Sequence, residues 1–192
     1  MTEDIKTDSF SFYLIIINIT VWILGLLQPK IPVLSLLPVT PELGGIYYPA
    51  VMSGQWWRIL TAMFIHDGPV HLASNMLGLF ALGSMMERLL GKKKFLIVYM
   101  TSGIGGNLFV LLTDKLRGSC HYTIGASGAV LGMLGALLSF TLLHRDRIGK
   151  DYLKRVVFAC ILMLIPSTSN VSIAAHIGGF ICGFVSAAVM LR

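Results

Sequence analysis

The stretch IGASGAVLGMLGALLSFTLLHRDR, residues 124–147, decides how the rest of the chain is read. From Ile124 to Leu143 it carries no charged side chain, and then it breaks into Arg145 and Arg147. About 20 apolar residues are what a helix needs to cross a hydrocarbon core. One hydroxyl, Ser127, stands at the entrance of that run between Gly125 and Gly128. A serine there is either a small residue that lets helices approach closely or a nucleophile.

Similar apolar runs recur at residues 10–27, 70–90, 95–113, 156–165 and 171–191. The 192 residues are 55% hydrophobic and 12% charged, with a mean hydropathy of +0.79. An ordinary soluble domain carries about 25% charged residues, so this chain lacks the material for a soluble surface. The pattern predicts an all-α, polytopic membrane protein with six transmembrane helices. Helices are required because a spanning segment must satisfy its own backbone, and no period-2 barrel pattern is present. Residues 1–9 read as a short cytoplasmic tail and residues 10–192 as one six-helix domain. The first span is not read as a cleaved signal, because its flank holds Glu3, Asp4 and Asp8 against Lys6.

Orientation follows from the cations. Arg88, Lys92, Lys93 and Lys94 follow span two, and Arg145, Arg147, Lys150, Lys154 and Arg155 follow span four. Lys30, Arg58, Lys115 and Arg117 fall on the other side. The positive-inside rule therefore puts both basic loops and both termini in the cytoplasm of a plasma-membrane protein. The net charge of +6 is explained by these loops, so no nucleic-acid partner is expected. Residues 28–68 then lie outside, rich in Pro, Gly and aromatics, with Trp56 and Trp57 suited to headgroup level. Cys120, Cys160 and Cys182 show neither CxxC nor zinc spacing, so no disulfide framework, metal or cofactor is expected.

Direction fixes the depth of the buried polar residues. His71 and Asn75 lie four apart near the outer start of span two, on one helix face. Ser127 opens span four from outside. His176 lies about six residues into span six, roughly 9 Å below its start at 1.5 Å per residue. Four polar groups on three helices thus meet in the outer half of the bilayer. Gly128 and Gly132 on span four, and Gly179 and Gly183 on span six, form two GxxxG patterns that allow close backbone approach. His176, Gly179 and Gly183 share a face, so contact between spans four and six draws Ser127 towards His176. A neutral histidine beside a serine is the arrangement that activates the hydroxyl. Ser127 sits in the first turn of its helix, where unpaired N–H groups and the dipole favour negative charge. Its own amide, with His71 and Asn75, can hold an oxyanion. No Asp or Glu falls within a span except Glu87 at the inner end of span two, which makes the machinery a dyad without an acid.

With these residues in place, the sequence resembles the rhomboid intramembrane serine proteases of the minimal six-helix bacterial type. The matching pieces are Trp57-Arg58, HDGPVHLASN at residues 66–75, MMERLLG with Glu87, GASG at residues 125–128, and AHIGGFICG at residues 175–183. The resemblance implies that Ser127 is the nucleophile and His176 the base. It implies an oxyanion site made of His71, Asn75 and the Ser127 amide. Its expected partners are membrane lipid and single-span membrane proteins, cut near the outer face. Leu131 departs from the aromatic that some members place four residues after the serine. Trp57-Arg58 reads as an interfacial anchor shaping the outer loop, and Glu87 as a cap for the inner end of span two. Asn18 and Asn107 read as interhelical glue, and the loop at residues 166–172 as a cover over the site. Two alternatives stand beside the protease. A small six-span transporter would carry intramembrane charges or repeated halves. An inactive rhomboid-like protein binding membrane clients would lack the serine or the histidine.

Overall fold

A computed structural model describes residues 9–164 and 172–192. Six long helices are present among the described residues. Helix α1 is Phe10–Leu27 and α2 covers residues 69–90, with a π-helical turn at Leu79–Gly83 in its middle. Helix α3 is Lys92–Arg117, α4 is Ser127–Leu143, α5 is Lys150–Leu164 and α6 is Ile173–Met190. The segments Phe10–Lys30, Lys92–Arg117 and Ile173–Met190 are each long and apolar enough to cross a membrane by themselves.

Several ends differ from the sequence expectation, for one reason. Hydropathy marks where charge begins, whereas a helix ends where its hydrogen bonds do. Lys92, Lys93 and Lys94 form the first turn of α3, and only Gly91, at φ 79°, separates α2 from α3. Likewise α5 starts at Lys150, six residues before its apolar run. Helix α3 also runs past Thr113 and takes in Asp114, a buried acid that the expected span excluded. Asp114 finishes that helix: Ser119 donates its Oγ–H to Asp114 Oδ1 at 2.9 Å and its N–H to the Asp114 carbonyl. Helix α4 opens at Ser127 rather than Ile124, and α6 opens at Ile173, which makes His176 its fourth residue. The depth of His176 below its helix start is therefore about 4.5 Å. The expected cover at residues 166–172 lies, except for Ser172, outside the described residues.

Helix α4 sits at the centre. Twelve of its 17 residues are buried, all round the helix, and a helix apolar on every side belongs inside a bundle. Its most extensive partner is α6, followed by α3 and α5, while α1 packs at the edge against α2.

Glu87 ties that edge down. Its carboxylate accepts hydrogen bonds from the Phe10 and Ser11 amides at 2.9 and 3.0 Å. It also accepts from the Ser9 and Ser11 hydroxyls at 2.7 and 2.9 Å. It thus caps the start of α1 rather than the end of its own helix, satisfying donors that the first turn leaves open. The negative charge also suits the positive end of the α1 dipole. Glu87→Ala is expected to cost about 2 kcal/mol, the size of losing a strong N-cap, with Glu87→Gln losing less. Thermal unfolding in detergent measures both.

The segment between α1 and α2 forms only short helical turns, none longer than five residues. Buried Arg58 organises it. Its guanidinium donates to the carbonyls of Gly45 and Glu42 at 2.8 and 2.7 Å and to Gln55 Oε1 at 2.8 Å. Its neighbour Trp57 is half exposed and donates weakly to the Leu43 carbonyl at 3.4 Å. Asn107 links α3 to this segment by donating to the Ile59 carbonyl at 2.9 Å. Asn18 is buried, its amide donates to the Leu14 carbonyl of its own helix at 2.7 Å, and its side chain also interacts with Tyr99 of α3.

Candidate active site

The turn before Ser127 is held from outside the helix. Ile46 and Thr123 exchange two backbone hydrogen bonds of 2.9 Å, and the Gly125 N–H donates to the Ala62 carbonyl at 2.8 Å. Tyr47 stacks on Tyr122 at 4.7 Å between ring centroids. Gly125 adopts φ 110°, a conformation that L side chains rarely take. These restraints keep residues 124–126 out of the helix despite their apolar character. Ser127 becomes its first residue, with an N–H that has no partner one turn back.

Gly125 also has a neighbour that leaves no room for a side chain. A Cβ there would lie 2.7 Å from His71 Nε2 and 3.9 Å from Asn75 Nδ2. The imidazole of His71 and the amide of Asn75 therefore border the backbone two residues before Ser127. Asn75 donates one amide hydrogen to the His71 carbonyl at 2.9 Å, one turn back on α2. His71 Nδ1 lies 2.7 Å from Asp67 Oδ1.

Helices α4 and α6 meet through their glycines. A Cβ on Gly179 would lie 3.0 Å from the Gly128 Cα, and one on Gly183 would lie 2.7 Å from the Gly132 Cα. The pairing advances four residues on both helices together, so they run parallel and their starts lie at the same end of the bundle. There, a Cβ on Gly128 would lie 3.2 Å from the Ala175 carbonyl oxygen. Gly128 follows Ser127 and Ala175 precedes His176, so the nearest chain neighbours of the two residues touch. His176 itself is buried, and His71 lies close enough for the two rings to interact electrostatically. No hydrogen bond joins Ser127 to His176 among the described residues. Catalytic contacts in a free enzyme are often longer than in the working complex. Ser172 caps α6, its Oγ accepting from the Ala175 N–H at 3.3 Å.

Three further features belong to this region: Asp67 and Gly135 were given no role from the sequence, and His66 stood there between a loop residue and a minor site role. Asp67 sits one turn before His71, and the i, i+4 spacing was the available signal. His66 is buried, its ring edge-on to His71 at 5.0 Å. Burial, with the neighbouring His71, pushes His66 down to about 4, so it packs behind His71 as a neutral ring. The third is Gly135, where a Cβ would lie 3.1 Å from the Phe184 backbone nitrogen, extending the close contact one turn inward. The described residues hold no cluster of three or more His, Cys, Asp or Glu that could hold a metal.

Comparison with known proteins puts this arrangement in a family. Residues 53–192 match the model of the rhomboid domain. The chain is 32% identical over 190 residues to a protein of Bacillus subtilis described as putative rhomboid protease YdcA, covering 94% of this chain and 92% of that one. It is 36% identical over 146 residues to rhomboid protease GluP of the same organism, across 73% of this chain and 27% of that protein. It is 34% identical over 162 residues to rhomboid protease AarA of Providencia stuartii, across 73% and 58%. It spans nearly the whole of the first relative and only part of the other two. A bundle of apolar helices with a serine at a helix start, matched to these relatives over most of its length, leaves one assignment: the chain belongs to the rhomboid family and is an all-α integral membrane protein of the rhomboid serine-protease type.

Proposed function

We propose that residues 10–192 form an intramembrane endopeptidase that cuts transmembrane segments near the outer membrane face through a Ser127–His176 dyad. The observation that carries this reading is the parallel pairing of Gly128 and Gly132 with Gly179 and Gly183, which holds the starts of α4 and α6 together. His176 takes the proton from Ser127 Oγ as the oxygen attacks the scissile carbonyl. The tetrahedral oxyanion is held by the Ser127 N–H, which points out of the first turn of α4, and by His71 and Asn75 beside Gly125. His176 then delivers its proton to the leaving amine, and water releases the acyl group by the same steps in reverse. The substrates are single-span membrane proteins. The cations at the opposite end of the bundle support cytoplasmic termini in the plasma membrane, which puts the site at the outer face.

Purified protein is expected to cleave a single-span substrate in detergent or liposomes. His71→Ala and Asn75→Ala test the oxyanion assignment. Losing one such donor typically costs about 10²–10³ in rate. The expected loss here is about 10–10², because the other donors and nearby water compensate in part. The loss should fall on kcat more than on KM. Unchanged turnover in both variants would remove these residues from the oxyanion site.

A further inference from the structure

The hydrogens on His71 have to be accounted for. Its Nδ1 lies 2.7 Å from the Asp67 carboxylate, which can only accept, so Nδ1 carries a proton. Its Nε2 borders the backbone of Gly125. To donate to an oxyanion there, Nε2 must carry a proton as well. A neutral imidazole has one N–H, so the donating form of His71 is the doubly protonated ring. A charged donor also gives the stronger hydrogen bond to a developing anion.

From this we infer that Asp67 is a positioning residue for the reaction: its carboxylate accepts from His71 Nδ1–H and fixes the ring with Nε2 facing the Ser127 turn, where the donating form of His71 holds the oxyanion. The inference rests on the oxyanion role proposed for His71. The titratable groups facing His71 are Asp67 and His66 from the segment before α2, and His176 from α6. The start of α4 presents uncharged backbone. His66, neutral and edge-on, supplies no charge to compete with Asp67. Asp67 is more than half exposed, so water screens the pair and the effect is modest. An acid therefore does stand in the site, one residue removed from the dyad and acting on the donor rather than on the base.

The test uses the isosteric Asp67→Asn, which keeps a hydrogen-bonding side chain and removes the charge. The protein in detergent cleaves a fluorogenic single-span peptide, alongside Ser127→Ala and His71→Ala. Asp67→Asn is expected to lower kcat about two- to fivefold near neutral pH, the range of an exposed ion pair, with KM little changed. In the His71→Ala background the same substitution should add nothing. Thermal unfolding should be near wild type, since the side chain is largely in solvent. A wild-type kcat, a loss that falls on KM instead, or an added loss on top of His71→Ala would each overturn the proposal. With Ser127→Ala inactive, those outcomes leave the dyad standing. Cleavage surviving in Ser127→Ala would overturn the dyad and this proposal together.

Discussion

Gly183→Val is expected to destabilise the protein markedly and to lower cleavage with it. A Cβ on Gly183 would lie 2.7 Å from the Gly132 Cα, a backbone atom that has no rotamer to move into. Overpacking a core typically costs about 1–3 kcal/mol, and contact against backbone places this substitution at the upper end. For a chain of this length each kcal/mol shifts the midpoint by about 2–4 °C. Thermal unfolding in detergent should therefore fall by about 6–12 °C. Gly68→Ala is the control, because a Cβ there meets nothing within 4 Å. Activity should fall in Gly183→Val even below its melting transition. The parallel α4–α6 contact holds Ser127 near His176, and a misplacement of about 1 Å can cost about 10²-fold. A Gly183→Val protein as stable and active as wild type would mean that the two helices do not meet through these glycines.

Ser127→Ala is expected to do the opposite: to abolish cleavage and leave the fold alone. Alanine is a good helix former, and the substitution keeps a small residue at the start of α4, so the approach of α4 to α6 survives. Removing the nucleophile of a soluble serine protease costs on the order of 10⁶ in kcat, which would take turnover below detection. Its unfolding midpoint should match wild type. If Ser127→Ala proved unstable yet retained cleavage, the serine would be a packing residue.

Much of this was legible because lipid imposes a simple rule. Each span must be a helix with an apolar surface, and α1 falls on Phe10–Leu27 as its hydropathy implies. The glycine spacing on α4 and α6 was legible for a similar reason, since small residues four apart leave one face of a helix bare. The helix ends were less so. Lys92–Lys94 and Lys150–Arg155 are helical although charged, because backbone hydrogen bonding continues beyond the hydrocarbon. Ile124 and Ala126 are apolar yet not helical, because partners distant in sequence hold that turn open. Glu87 reaching the start of α1, and Arg58 gathering three acceptors, are pairings that no local pattern encodes. Asp67 was within local reach, four residues from His71, but it lies outside the apolar run that drew the reading inward.

The dyad itself is tested most directly by covalent labelling. A fluorophosphonate or isocoumarin incubated with the folded protein should modify Ser127, located by mass spectrometry. In His176→Ala the labelling rate should fall by about 10² or more, the usual contribution of a general base. Labelling that proceeds equally without His176, or an adduct on any residue other than Ser127, would contradict the assignment of these two residues as nucleophile and base.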